Sequence, residues 1–81
     1  MEIIKFKDLL ERGFDVEFNI EDVFYSFTSN LVNNKKMYYI GNENHSINVS
    51  FDLVDELLKF QINNKEIIDI IFNLNEEEIY Y

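Results

Sequence analysis

The sequence predicts an α+β fold, in which a small antiparallel sheet of three to four strands carries helices on one face. Segments 15–20 and 23–32 alternate apolar and polar residues with the period of two that is typical of half-buried strands. Segments near both ends instead repeat apolar residues at helical spacing. Because the connections between the candidate strands are short, we expect an antiparallel meander with its second face partly wet.

The first predicted element is a helix over residues 3–12. Its apolar side chains share one helical face: Ile3, Phe6, Leu9 and Leu10. Gly13 follows at the position where a glycine ends many helices in a left-handed turn. We expect Phe14 to fold back on Leu9, because a hydrophobic contact often accompanies that turn.

Strands and tight turns are predicted for the middle of the chain. Turn residues separate the apolar runs at Glu21-Asp22 and at Asn33-Asn34, where Asn is favoured because it tolerates positive φ. The pattern predicts three strands and an optional short fourth one: 15–20, 23–32, 35–40 and 47–51.

Two further helices are predicted after the last strand, over residues 52–60 and 65–74, where the apolar period becomes helical. Asn63 followed by Glu66 resembles a capping box, a pairing that starts many helices. No linker, repeat or Pro/Gly/Ser-rich boundary interrupts the chain. We therefore predict a single domain over residues 1–81 with the element order α-β-β-β-(β)-α-α.

Composition limits the class of protein. The 81-residue chain has no cysteine, so disulfides and thiolate chemistry are excluded and the core depends on packing alone. Hydrophobic residues make up 47% of the chain, enough for a core despite the charge.

No stretch of about 18 apolar residues and no secretory signal is visible, so we expect a cytoplasmic protein. Abundant Ile, Asn and Lys with scarce Gly, Pro and Arg indicate AT-rich coding, typical of low-GC bacteria, their phages and their plasmids.

The formal net charge of −9 constrains the partners. Such a surface repels nucleic acid and anionic lipid, so we expect neither direct nucleic-acid binding nor membrane binding. A protein partner with a basic surface is attracted instead. The alternative is that the acidity only keeps a small protein soluble.

The acidic residues are concentrated in two segments without Lys or Arg, 15–34 and 66–81. On a strand, alternate residues point the same way about 6.7 Å apart, a distance comparable to the spacing of successive phosphates. Asp15, Glu17 and Glu21 are therefore expected in a row on one sheet face, unless this is an ordinary solvated face. The predicted partner-binding acids are Asp15, Glu17, Glu21, Asp22, Glu76, Glu77 and Glu78.

The candidate catalytic residues are few and isolated. His45 is the only histidine and lies in a predicted polar loop without further ligands or a nucleophile nearby. Asp52, Asp55 and Glu56 lie near the start of a predicted helix, where acids suit the helix dipole. No Gly-rich phosphate loop, nucleophile elbow or calcium loop is present. We therefore expect no enzymatic activity, no metal site and no cofactor.

The last predicted helix is apolar on nearly all sides. Burial between the sheet and helix 52–60 explains this pattern, and so does contact with a second protomer or a partner. For the latter case the predicted apolar interface consists of Ile67, Ile71, Phe72 and Leu74.

Four runs of the chain carry a resemblance to known proteins: Leu9–Phe18, Phe24–Phe27, Ser50-Phe51 and Leu57-Leu58. They resemble a loose group of small acidic proteins from low-GC Gram-positive bacteria and their phages. The shared pattern is a short helix, a glycine, an acidic strand, a Tyr-Ser strand and two C-terminal helices. This chain departs from it at Glu21-Asp22, which replaces Asn-Gly in the first hairpin. By analogy, the resemblance implies an inhibitor of host defence, including anti-CRISPR proteins, which share a strategy rather than a fold.

Together these observations predict a non-catalytic protein-binding module. The first hypothesis is a phage or mobile-element inhibitor that blocks the basic channel of a nucleic-acid-processing enzyme, as a nucleic-acid mimic of the anti-CRISPR type does. The alternative is an immunity protein, an antitoxin or a small homodimer that docks through the apolar C-terminal helix.

Overall fold

A computed structural model describes residues 1–81 and confirms the α+β class. Helix α1 spans Ile3–Glu11, α2 spans Val54–Lys59 and α3 spans Ile67–Phe72. The strands are β1 Val16–Ile20, β2 Val23–Val32, β3 Lys35–Asn42, β4 Asn48–Phe51, β5 Gln61–Ile62 and β6 Lys65–Glu66, and a single 3-10 turn covers Glu76–Glu78.

The main sheet is an antiparallel meander in the order β1-β2-β3-β4, so the optional fourth strand is present. Its register pairs Val16 with Phe27 and Phe27 with Ile40. Side chains alternate across the sheet, so these three residues share one face, and all are fully buried. We call this the inner face and the opposite side the outer face.

All three helices lie on the inner face, as the sequence predicts. Helix α1 packs over β1 and β2, α2 packs over β3 and β4, and α3 contacts both helices. The Phe27 ring stacks on Phe18 with centroids 4.9 Å apart and meets the edge of Phe6 at 5.7 Å. The largest fully buried side chains come from every layer: Phe6, Leu10, Val16, Phe18, Phe27, Ile40, Leu57, Ile67 and Ile71.

The end of α1 follows the predicted glycine motif. Gly13 has φ +86°, a value that favours glycine because it lacks a Cβ. Its amide donates to the carbonyl of Leu10, and the amide of Phe14 donates to the carbonyl of Leu9 at 2.9 Å. These two bonds satisfy carbonyls that a helix end otherwise leaves open.

Three hairpins use the same two-residue turn geometry. Each turn places two consecutive residues at positive φ, the arrangement of a type I′ turn, whose twist matches that of the strands it joins. The pairs are Glu21 (48°) and Asp22 (66°), Asn33 (52°) and Asn34 (64°), and Asn63 (54°) and Asn64 (67°). The first two turns are predicted from the sequence.

The third hairpin corrects the prediction for residues 61–66. Asn63 is a turn residue between β5 and β6 and does not cap a helix. The residue before α3 is Glu66, which forms no side-chain cap hydrogen bond. Helix α3 is therefore shorter than the predicted 65–74. None of the three helices has the length and apolar character needed to cross a membrane.

Candidate protein-binding surface

The C-terminal residues form an added strand at the free edge of β1. The amide of Glu17 donates to the carbonyl of Tyr80, and the amide of Tyr80 donates to the carbonyl of Glu17, both at 2.8 Å. Between these bonds and the 3-10 turn, Ile79 is 7% exposed and joins the core. This pairing brings the two acidic segments of the sequence together at one edge of the sheet.

A polar contact with α1 fixes the 3-10 turn beside this edge. The Lys5 ammonium bonds the Glu76 carboxylate and lies 5.1 Å from the centre of the Tyr81 ring. The Tyr81 hydroxyl donates to the same carboxylate at 3.3 Å. Because the hydrogen bond from Lys5 stabilises the ionised form, it holds the pKa of Glu76 below its usual value.

The predicted row of acids on β1 is wrong in its geometry. Glu17 lies on the strand, and its carboxylate accepts a hydrogen bond from the Ser26 hydroxyl at 2.8 Å. Glu21 lies in the turn after β1, where it accepts from the side-chain amide of Asn63 at 2.6 Å. The row fails because β1 ends at Ile20 and the left-handed turn changes the direction of the chain. Glu21 therefore does not continue the alternation of side chains along the strand.

Four predicted binding acids have no side-chain partner within the chain. Asp15 precedes β1, Asp22 lies in the first turn, and Glu77 and Glu78 lie in the 3-10 turn, all exposed. The four ion pairs of the chain involve other acids, namely Glu76, Asp55, Asp8 and Asp52. We call the complete set of seven the acidic edge: Asp15, Glu17, Glu21, Asp22, Glu76, Glu77 and Glu78.

The structure corrects the predicted apolar interface on α3. Ile67 and Ile71 are fully buried by α1, α2 and the sheet, so they cannot contact a partner. The Met1 amino group donates to the carbonyls of Ile71 at 3.0 Å and Leu74 at 2.6 Å, and Leu74 is half-buried. Only Phe72, which is 70% exposed, presents a large apolar surface there. The helix is apolar because it is covered within the monomer.

The candidate catalytic acids Asp52 and Asp55 form ion pairs, and Glu56 accepts a hydrogen bond from the backbone amide of Leu53 at 3.3 Å. Asp55 pairs with Lys7 at 2.8 Å, a contact that lowers the pKa of Asp55, whereas a general acid needs a raised pKa. Asp52 pairs with Lys35 at 3.3 Å. His45 is exposed in a loop. No three His, Asp or Glu side chains are grouped in a way that holds a metal ion.

The largest cleft, about 470 Å³, lies away from these residues. It opens between the first turn, the β5–β6 hairpin and α3, with an apolar lining from Ile20, Ile62, Ile70 and Leu74. Its ionisable side chains are Glu21, Lys65 and Asp69.

Sequence reasoning did not find the Glu17–Tyr80 pairing. The signal for it is the run Ile79-Tyr80-Tyr81, in which β-favouring residues follow the acidic turn. A run of three residues is too short to show alternation, so its partner strand is visible only in the structure.

No protein-family model, curated protein sequence or solved structure matches this chain. The function is therefore inferred from the surface itself.

Proposed function

We propose that the protein is a non-catalytic protein-binding module whose acidic edge docks on a basic surface of its partner. The observation that carries this proposal is the backbone pairing of Glu17 with Tyr80, which joins two acidic segments far apart in the sequence. Without it the charge would be spread over two separate regions.

The charge of the edge is available to a partner. Asp15, Asp22, Glu77 and Glu78 have neither an ion pair nor a side-chain hydrogen bond, so binding breaks no internal contact at these positions. Complementary charge on a partner speeds association and selects against acidic competitors.

A basic channel that normally holds nucleic acid is the partner surface that fits best. Such channels present Lys and Arg along a groove, and carboxylates replace the phosphates that the groove attracts. The small size of the chain and its AT-rich coding support a phage or mobile-element inhibitor of the anti-CRISPR or DNA-mimic type, acting in the cytoplasm of a bacterial host.

The experiment compares two variants of equal charge. The edge variant combines Asp15→Asn, Asp22→Asn, Glu77→Gln and Glu78→Gln. The control variant changes four acids elsewhere that form no ion pair, through Glu2→Gln, Glu56→Gln, Glu66→Gln and Asp69→Asn. Each variant changes the formal net charge from −9 to −5 (−9 + 4 = −5). A difference in binding between the two variants therefore reports the position of the charges rather than the total charge.

Wild type and both variants are immobilised and exposed to a nuclease-treated lysate of a low-GC bacterium, then eluted with rising salt. We expect the edge variant to release its partner at lower salt than the control, because the salt-sensitive contacts are at the edge. Equal elution of the two variants would contradict the proposal.

A further inference from the structure

The outer face of the main sheet is almost free of charge, although 28% of the residues in the chain are charged. The strand register determines which side chains share this face. Apart from Gly41, its uncharged members are amides, hydroxyls, aromatics, one thioether and one valine: Asn19, Phe24, Ser26, Thr28, Asn30, Val32, Met37, Tyr39, Asn48, Ser50 and Tyr80. Depletion of charge with enrichment of aromatic and Met residues distinguishes interface centres from other protein surface.

The charged groups of this face lie at its margins and have internal partners. Glu17 accepts a hydrogen bond from Ser26 at the β1 edge. Glu43, just beyond β3, accepts from the backbone amide of Phe24 at 3.0 Å. Lys35, beside the second turn, pairs with Asp52. None of them leaves an unpaired charge in the middle of the sheet.

The outer face has a depression with an aromatic side chain beside it. Gly41 lies opposite Ser26 and Asn48, and these small or medium side chains leave a depression near the end of β3, which Glu43 and His45 also line. Tyr39 lies on the same strand two residues away, about 6.7 Å by strand geometry. A projection beside a depression on one strand fits a second copy of the same face under two-fold symmetry.

We propose that this outer face is the contact surface of a symmetric homodimer. A second copy is favoured as the occupant because two chains of charge −9 can approach closely only through a region that carries little charge. The acidic edge would instead bring carboxylates together. This dimer leaves the acidic edge at the rim, where the edges of the two copies still repel each other.

The available area fits a weak dimer. Strands β2 and β3 span ten and eight residues, and β1 and β4 span five and four. At about 3.4 Å per residue and about 4.8 Å between strands, the sheet plane measures about 440 Å². Two copies would bury about 900 Å², which is the size of a weak, transient interface and lies below the roughly 1,000 Å² that a stable one exceeds. We therefore expect dissociation in the micromolar range or above.

The test is sedimentation velocity of the purified protein from micromolar to millimolar concentration, at low and at high salt. We expect a concentration-dependent dimer that becomes tighter as salt rises, because salt screens the repulsion between the acidic rims. This salt dependence is opposite in sign to the one expected for binding of a basic partner. The failure of one proposal is therefore distinguishable from the failure of the other.

Gly41→Arg places a long charged side chain in the depression. A Cβ at this position would meet only the Ile47 carbonyl, at 4.0 Å, so the backbone tolerates a side chain here. Asn48→Arg tests the same face from β4, where the side chain is exposed, and keeps the test valid if Gly41→Arg does not fold. Gln61→Arg, on the exposed side of β5, adds the same charge elsewhere as the control.

We expect each outer-face variant to weaken the dimer at least tenfold and Gln61→Arg to leave it intact. Circular dichroism verifies that each variant is folded. A protein that stays monomeric at all concentrations and salts would overturn the proposal. A dimer that persists in both outer-face variants, or that weakens as salt rises, would overturn it as well.

Discussion

The backbones of Glu17 and Tyr80 form two reciprocal hydrogen bonds, so the C-terminal residues extend the sheet at its β1 edge. Ile79 enters the core beside this bridge, and Glu76 contacts Lys5 on α1. The segment therefore combines a structural role, closing the core, with the placement of the acidic 3-10 turn at the β1 edge of the sheet.

Removing one backbone donor tests this bridge. Tyr80→Pro eliminates the amide that donates to the Glu17 carbonyl, and it is expected to lower the free energy of unfolding by about 1–3 kcal/mol. Tyr80→Ala keeps the amide and is the control, for which a smaller loss in the free energy of unfolding is expected. Urea denaturation measures both, and equal losses in the two variants would show that the backbone bond contributes nothing.

The first hairpin is a site where stability can be gained. Asp22 has φ +66°, which costs an ordinary residue energy that glycine avoids. Asp22→Gly is expected to raise the free energy of unfolding by about 0.5–1 kcal/mol, because Asp-Gly and Asn-Gly pairs suit this turn. Asp22→Val, with a branched side chain at positive φ, is expected to lower it. Thermal denaturation in which glycine is no better than valine would contradict the turn geometry.

Tyr38 links stability to alkaline pH. Burial, and then its hydrogen bond to Glu11, raise the pKa of Tyr38 to about 12, whereas an unfolded tyrosine ionises near pH 10. A raised pKa means that the folded state keeps the proton longer. The stabilisation that the protonated Tyr38 hydroxyl gives to the folded state is complete below about pH 10 and is lost as the pH rises towards about 12.

Tyr38→Phe is therefore expected to remove much of the fall in urea midpoint between pH 9 and about pH 11.5. Tyr39→Phe, whose hydroxyl makes no hydrogen bond within the chain, is the control and should keep the wild-type dependence. An unchanged pH profile in Tyr38→Phe would show that this hydroxyl is not the coupled group.

The aromatic centre of the core should dominate stability. Phe27 is fully buried and contacts the rings of Phe6 and Phe18, so Phe27→Ala is expected to cost about 3–5 kcal/mol and to leave the domain at the margin of folding. Phe72→Ala removes a ring that is 70% exposed and should change the free energy of unfolding by less than about 0.5 kcal/mol. A large loss for Phe72→Ala would mean that this ring is covered in solution.

The elements with a clear period were predictable from the sequence. Val16, Phe18 and Ile20 alternate with polar residues, and a half-buried strand requires this alternation. Gly13 ends α1 through the bonds that its positive φ allows. Both signals are local, so no tertiary information is needed to interpret them.

The β5–β6 hairpin was not predicted, because two-residue strands are too short to show a period. Its turn, Asn63-Asn64, repeats the dipeptide Asn33-Asn34 of the second hairpin, and that repetition was the available signal. The acidic edge depends on pairing between residues 17 and 80, which no local pattern encodes. For the same reason the sequence did not distinguish burial of Ile67 and Ile71 from exposure at an interface.

The measurement that tests the central claim most directly is competition between this protein and duplex DNA for a partner captured on the immobilised chain. We expect added duplex to release the partner from wild type, and to release it from the edge variant at a lower DNA concentration. Uncharged dextran should release nothing. A partner that binds duplex DNA and this protein at the same time would contradict the claim that the acidic edge occupies a nucleic-acid-binding surface.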